Sequence, residues 1–590
     1  MRHPLRWDAW ESCSMKPRAS RYDRARVREA PRGPIFIPGK IMETLFTGKA
    51  TIRWILPHAA ILVVALIVGL YHVNASGPLW PDAPRYANAG AMIHDWLRSG
   101  KLLEPYEFAK LNYSQYPAFS VPYHPIGYPF FLGLLFLFTG VSYLAARSFV
   151  AICLGISGCI FFGILRKLEN GRGASILGAL LLISMPEILR WSRDTMSEIP
   201  ALMFILAATL LFQYWIESQR PSHCWGAFAL AALAFQCRVT TIGILPQWFL
   251  SLIWLRRWRT FLSRHLLLAS LLFLSVCSGW IVFSMRFSRF ETWDNHATNR
   301  LSLFSWENLS FYPSCMPAMS GWALTLAAIA GAIYGLSQLK RGREHLQLFW
   351  LFWFFAYYGF QLLLSINEQR YFLLALPSVP GLAVLLISKK DNVPRGRFAW
   401  CALLGVALAL NLGHLFQMPA GIVGYDAVAK ALSRETKPGN VLVACFHDQE
   451  LIFRFREWST ESKRIMIRSD RSLAIRLSKY TGVKPQIFAH QSEDLFSIVL
   501  RGRVRYMITC SPQPSQIEDR LEEMVLAHRV AESHPERFAL IGEFPLLLQI
   551  GGKGSRRFVY IWEYLGVLPP GPSEIPVVIP TANLQFKLGG

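Results

Sequence analysis

Three things are missing from this chain, and each absence removes a class of function. Its ten cysteines form no C-x-x-C pair and show no metal-ligand spacing, and most lie inside apolar runs, so neither a zinc site nor a disulfide framework is expected. The stretch ACFHDQE (444–450), which ends a strand-like run, lacks the glycines that would let backbone approach a pyrophosphate. Acid is the third scarcity, with 38 Asp and Glu against 61 Lys and Arg. The resulting net charge of +23 does not call for nucleic acid, because the basic residues gather in the first fifty positions and in short loops between apolar runs. That is the positive-inside distribution, with anionic lipid as its partner.

What the chain has in quantity is apolar surface arranged in runs. Hydrophobic residues make up 53% of it and aromatics 14%, concentrated in stretches near twenty residues with charged breaks between them. The fold class expected is a polytopic α-helical membrane protein of about eleven to twelve transmembrane helices, carrying a C-terminal soluble α/β domain. Residues 1–50 read as a basic, disordered cytoplasmic tail, with Met42 an alternative start; 51–419 as the transmembrane domain with its first outer loop at 75–125; and 420–590 as the extracytoplasmic domain. The run Ile126 to Gly140 is short for a span and has Pro122, Pro125 and Pro129 at its entrance, so it reads as re-entrant or interfacial. The alternative is that it crosses and a nearby run such as 174–189 does not. After Met418, strands are expected at Val441–Phe446, Arg464–Ile467, Arg505–Thr509, Phe538–Phe544 and Phe558–Glu563, and helices at Glu450–Trp458 and Ser515–Ala531.

Against this apolar background four polar sets fall on the expected outer face. The first is PDAPRYANAG, where Pro81 and Pro84 pin Asp82 at the start of an amphipathic helix that continues through Arg85 and Tyr86 and could lie on the membrane surface. His124 in YHPIGYP is either a ligand or a hydrogen-bonded interface residue. In SRDTMSEIPAL, Asp194 and Glu198 are four apart and share one face of a helix. With Asp82 they could hold a divalent cation, or one could act as base while another orients it; alternatively Asp194 caps a helix and pairs with Arg190 or Arg193. The last set is NEQRYFLLALP, whose Arg370 beside Tyr371 suits a phosphate, with Arg238 of QCRVTT to assist it, although either arginine could instead snorkel at the interface. Trp80, Trp96, Tyr113 and Tyr116 could stack on a sugar or anchor the interface.

These stretches, in order over about residues 54–390, resemble the GT-C superfamily of polyprenyl-phosphate-sugar-dependent glycosyltransferases, which includes the protein O-mannosyltransferases and the lipid A aminoarabinose transferases. PDAPRYANAG, YHPIGYPFFLGLLF, LAARSFVAI, SRDTMSEIPAL and NEQRYFLLALP carry the resemblance. It implies a GT-C-like fold and inverting transfer of a sugar from a polyprenyl-phosphate donor to an acceptor hydroxyl, on glycan, lipid or protein, at the outer face of a bacterial inner membrane. Asp82 would be the catalytic base; Arg370 and Arg238 would steady the phosphate; Asp194, Glu198 and His124 would bind a metal or orient the acceptor; and Arg85, Tyr86 and Tyr371 would contact donor or acceptor. Many members carry Asp-Glu in the first loop, whereas Ala83 follows Asp82 here, which leaves the divalent metal open. A transporter or a non-catalytic scaffold of envelope glycan assembly is the competing reading. Against transport stand the clean middles of the apolar runs and the lack of an internal repeat.

Overall fold

Apolar runs broken by proline and by charged loops fold into helices of unequal length. The computed structural model describes residues 48–73, 77–78, 80–119, 124–168, 170–287, 302–339, 345–364, 367–387, 394–417, 421–459, 463–475, 486–511, 522–550, 553–579 and 584–587. Among them four helices are long and apolar enough to cross a membrane, Tyr143–Lys167, Glu198–Ser218, Arg264–Met285 and Phe398–Phe416. Three bent pairs bring the number to 7 if each pair is one span; the sharpest, Trp306–Ser320 with Trp322–Ser337, turns by 120°. Shorter apolar helices add Ile55–Leu70, Gly127–Thr139, Val239–Trp254 and Leu348–Leu364. The expected tail at 1–50 lies almost wholly outside the described residues, and residues from Pro57 onward form one compact unit.

The helix that begins at Asp82 runs to Ser99 and ends on Gly100, whose φ of 73° is a left-handed stop that glycine takes without strain. Sequence periodicity suggested a helix lying on a membrane surface. Instead Asp82 through His94 are nearly all buried, because Ala83, Ala87, Ala89, Gly90 and Ala91 are small enough to let neighbours close around the helix. Its main neighbour is the Gly127–Thr139 helix. A Cβ on Gly90 would stand 2.7 Å from the Leu132 Cβ, and one on Gly133 would stand 2.6 Å from the Ile93 Cγ2, so the two backbones meet through paired glycines. At thirteen residues the second helix is about 20 Å long, short of the ~30 Å hydrocarbon layer. Arg147, one turn into the Tyr143 helix, ties the chain ahead of Asp82 in place by donating to the carbonyls of Val73 and Gly77, each at 2.9 Å.

Beyond residue 420 the period changes from helical to alternating, and a six-stranded sheet forms. Strands β1 (Ile422–Val423), β2 (Asn440–Ala444) and β3 (Met466–Arg468) are followed by a two-stranded ribbon, β4 (Ala474–Ile475) and β5 (Gln486–Ile487), and by β6 (Val504–Cys510), β7 (Phe538–Ile550) and β8 (Lys553–Tyr564). The sheet order is β1-β7-β8-β6-β2-β3, parallel across β3, β2 and β6 and antiparallel for the remainder. Val441 and Val443 face a core closed by helices Tyr425–Arg434 and Asp448–Trp458, whereas Leu442 and Ala444 face one closed by Ser492–Arg501 and Glu522–Ser533. All five expected strands occur, with shifted ends, and the expected helix at Glu450 begins at Asp448. The other expected helix is present from Glu522; its first residues lie outside the described ones.

The segment between the Asp82 and Gly127 helices reaches into this sheet part. Tyr116 and Ala118 belong to one sheet core and Tyr113 to the other, and Arg468 Nη1 donates to the Pro117 carbonyl at 3.1 Å. Tyr113 and Tyr116 are therefore structural, and their burial keeps them from stacking on a sugar. In the reverse direction Phe453 leaves the sheet part to join the helical core against Phe136 and Tyr143.

Candidate functional site

Pro81 and Pro84 leave the Asp82 helix with its first acid at the first helical position, facing inward. The carboxylate meets three groups drawn from separate parts of the chain. Asp82 Oδ2 lies 3.0 Å from Arg370 Nη1, and Oδ1 lies 3.2 Å from Arg85 Nη1 and 3.7 Å from His124 Nε2. Burial by itself would push the Asp82 carboxyl up; His124, Arg85 and Arg370 together overcome it and hold it well below the ordinary aspartate range. His124 is pushed the other way for a base: burial, helped by repulsion from Arg85 and Arg370, lowers its imidazole below the usual histidine value despite Asp82. Its ring lies against Tyr86, centroids 4.7 Å apart, and the Tyr86 hydroxyl meets Ser197 Oγ at 3.1 Å.

Arg370 is the hub of the cluster. Its Nε pairs with Glu368 at 2.6 Å, and its guanidinium lies over the rings of Trp80 and Tyr371 at 4.9 and 5.1 Å. Arg238 approaches the same Tyr371 ring at 5.0 Å and pairs through Nη1 with Glu198 Oε1 at 2.6 Å. Two of its other donors, Nε and Nη2, are buried without a hydrogen-bond partner among the described residues, as is Glu198 Oε2. Both arginines that the sequence assigned to phosphate thus flank one tyrosine, and one of them has donors to spare.

Asp194 and Glu198 do not share a helix. The helix begins at Glu198, because Pro200 lacks an N–H and fits only its first turn, which leaves Asp194 in the turn before it. There Asp194 Oδ1 accepts from the Thr195 N–H at 2.8 Å and the Tyr143 hydroxyl at 3.2 Å, and Oδ2 accepts from the Trp80 N–H at 3.2 Å. Thr195 Oγ1 in turn donates to the Ala83 carbonyl at 3.1 Å. Asp194 therefore braces the two residues that bracket the Pro81–Asp82 corner. Arg193 is engaged elsewhere, with the carbonyls of Tyr71 and Leu415.

The donors named for a divalent metal fit one poorly. Among the described residues no three His, Cys, Asp or Glu side chains stand close enough together to hold an ion. Guanidinium groups already face Asp82 and Glu198, and Asp194 is spent on backbone and hydroxyl donors. No metal site is built from Asp82, Asp194 and Glu198.

Two partners escaped the sequence reading. Gln449, from the sheet part, accepts from Arg85 Nε at 2.8 Å, and Tyr143 holds Asp194. Neither carries a charge that would single it out, and Gln449 is 364 positions from Arg85. His447 and Asp448 follow the end of β2, where open sheets place ligands, but Asp448 is paired with Arg468 at 2.6 Å inside the fold.

Residues 123–283 match the family model described as dolichyl-phosphate-mannose-protein mannosyltransferase, a stretch that holds His124, Asp194, Glu198 and Arg238. No curated protein sequence matches the chain. Among solved structures, ArnT from Cupriavidus metallidurans bound to undecaprenyl phosphate aligns with a TM-score of 0.54 at 14% identity, over 88% of this chain and 100% of that one. The apo state of the same protein aligns with a TM-score of 0.55 at 14% identity, over 87% and 98%. The fold is that of ArnT, and the resemblance to the GT-C superfamily stands on the family match and the fold together.

Proposed function

We propose that this chain is an inverting glycosyltransferase of GT-C type that moves a sugar from a polyprenyl-phosphate donor to an acceptor hydroxyl on the outer face of a membrane. The observation that carries the reading is the placement of one buried carboxylate, Asp82, against Arg85, Arg370 and His124, with Arg238 a tyrosine away. ArnT, whose fold the chain shares, has been captured with undecaprenyl phosphate, a ligand of the class proposed here.

In the proposed reaction the acceptor oxygen attacks the anomeric carbon as its proton passes to the Asp82 carboxylate. The bond from that carbon to the phosphate oxygen breaks, and its electron pair leaves with polyprenyl phosphate. Negative charge grows on the leaving phosphate, where Arg370 and Arg238 stabilise it through charge-assisted hydrogen bonds in a desolvated site. A carboxylate held far below its ordinary pKa is a weak base. The arrangement contains its own remedy, since an arginine drawn to the donor phosphate leaves Asp82, and the carboxyl becomes more basic when both substrates are in place. His124 and Tyr86 form the wall beside Asp82, and Trp80, whose ring lies under Arg370, offers a surface for the sugar. Asp194 keeps the corner rigid, and no step needs a metal ion. In this reading residues 51–419 form the membrane domain and 420–590 an extracytoplasmic domain, periplasmic in a double-membraned bacterium.

Purified wild type and Asp82→Asn would be given a panel of labelled polyprenyl-phosphate sugars with membrane acceptors. Wild type should release polyprenyl phosphate, and Asp82→Asn, compared per folded molecule, should do so ~10²–10⁴-fold more slowly. Equal turnover by both would remove Asp82 as base; no release from any donor by folded wild type would remove the glycosyltransferase reading.

A further inference from the structure

The surroundings of Asp82 are completed by the sheet part. Arg85 presents Nη1 to Asp82 and Nε to Gln449 Oε1 at 2.8 Å, so its guanidinium is held at two edges. The grip extends along the Asp82 helix: the Gln449 carbonyl accepts from Asn88 Nδ2 at 2.9 Å, and Arg456 reaches the Asn88 carbonyl at 3.3 Å and Asp95 Oδ2 at 2.6 Å. Gln449 and Asn88 are both buried, where losing either of these hydrogen bonds would leave a polar atom unpaired at a cost. The neutral amide also suits the task. It holds Nε without a second negative charge, which leaves the guanidinium's attraction to Asp82 undivided.

We propose that Gln449 is a positioning residue for the transfer reaction, holding Arg85 in register with Asp82 so that the sheet part sets the orientation of the catalytic carboxylate. The proposal rests on the reading of Asp82 as base. Asp82 faces Arg85 on its own helix, His124 from the following loop, and Arg370, itself paired with Glu368, from the 3-10 turn Gln369–Ala375. Arg85 also faces His447, which burial and the Arg85 charge push down to about 4, so it adds no charge at neutral pH. With Arg85 released, Asp82 loses one of the groups that hold its proton affinity down, and the acid limb of the pH–rate profile moves to higher pH.

The test uses the full chain in lipid nanodiscs, with Gln449→Met as the shape-keeping variant, Gln449→Glu, Arg85→Ala and the Arg85→Ala/Gln449→Met double variant. Gln449→Met should lower kcat about tenfold, leave KM near wild type and shift the acid limb upward. Gln449→Glu should shift the limb further, because a second carboxylate then draws on Arg85. The double variant should be no slower than Arg85→Ala alone. A wild-type kcat and acid limb in Gln449→Met, or losses that multiply in the double variant, would overturn the proposal. Asp82→Asn measured alongside separates the two ideas. If it is inactive while Gln449→Met behaves as wild type, only the positioning role falls; if it turns over normally, the base assignment falls and takes this role with it.

Discussion

Asp82 and Asp448 are both buried aspartates at the first position of a helix, both pair with arginine, and their carboxyls are shifted in opposite directions. Asp82 meets Arg85, Arg370 and His124, and its carboxyl is held well below the ordinary range in spite of burial. Asp448 is also buried, and there burial wins: its carboxyl is pushed up although Arg468 Nε lies 2.6 Å away. The difference is in the neighbours: His124 joins Arg85 and Arg370 at Asp82, whereas Asp448 has Arg468 and Arg471 near it but Asp470 against it. Arg468 divides its charge between Asp448 and Asp470, at 2.6 and 2.7 Å, and Asp470 adds its own repulsion. Arg370 is shared too, with Glu368, but Asp82 has Arg85 in reserve. A buried arginine partner does not by itself decide which way a carboxyl shifts; burial and every hydrogen-bonding and charged neighbour together do.

Removing the cation from the second region has the largest expected effect on stability. Arg468→Met takes from Asp448 its arginine at 2.6 Å, leaves it beside Asp470 and breaks the tie to Pro117, and should destabilise the sheet part by ~3–5 kcal/mol in denaturant melts. Transfer per folded molecule should survive, since Asp448 takes no part in the chemistry; loss of turnover in the folded fraction would break the comparison.

Acid should separate the two aspartates next. The folded pKa of Asp82 is depressed, so its contribution to stability is present above the unfolded aspartate value and lost as pH falls through the folded one. For Asp448 the folded pKa is raised, so its contribution is full below the unfolded value and lost as pH rises through the folded one. On acidification Asp82→Asn should therefore lose melting temperature less steeply than wild type, and Asp448→Asn more steeply. Parallel curves for all three proteins would show that neither carboxyl is shifted.

The smallest effect is the sharpest test of sharing. Asp470→Asn leaves Arg468 to Asp448 alone and should lower the Asp448 carboxyl toward the behaviour of Asp82, with a stability change of ~1 kcal/mol or less at neutral pH. Acid titration of that variant, followed by the pH dependence of its melting temperature, should lose the rise assigned to Asp448.

The parts of the site that were readable in sequence share one property. Asp82, Arg85, His124, Arg238 and Arg370 are ionisable residues in short polar stretches at the ends of apolar runs, where charge is costly and so stands out. Their neighbours Gln449 and Tyr143 are uncharged and lie in segments with no such contrast. The spacing of Asp194 and Glu198 misled because periodicity assumes a continuous helix, and Pro200 starts that helix only at Glu198. Tyr113 and Tyr116 misled for another reason: aromatic residues in a loop look the same whether they meet a ligand or another part of the fold.

By itself the sequence determined the apolar helices, the change to alternating strands after Met418 and the short list of charges that a membrane protein keeps at their ends, because hydrophobic period and desolvation cost are local properties of a chain. Tertiary structure alone decided that Asp82 would find Arg370, 288 positions away, and that a glutamine from the sheet part would hold Arg85. Those pairings follow from close helix packing, such as the glycine contact between the Asp82 and Gly127 helices, and from the docking of the sheet part on the first of them. No local pattern encodes which distant side chain will lie opposite when two such surfaces close.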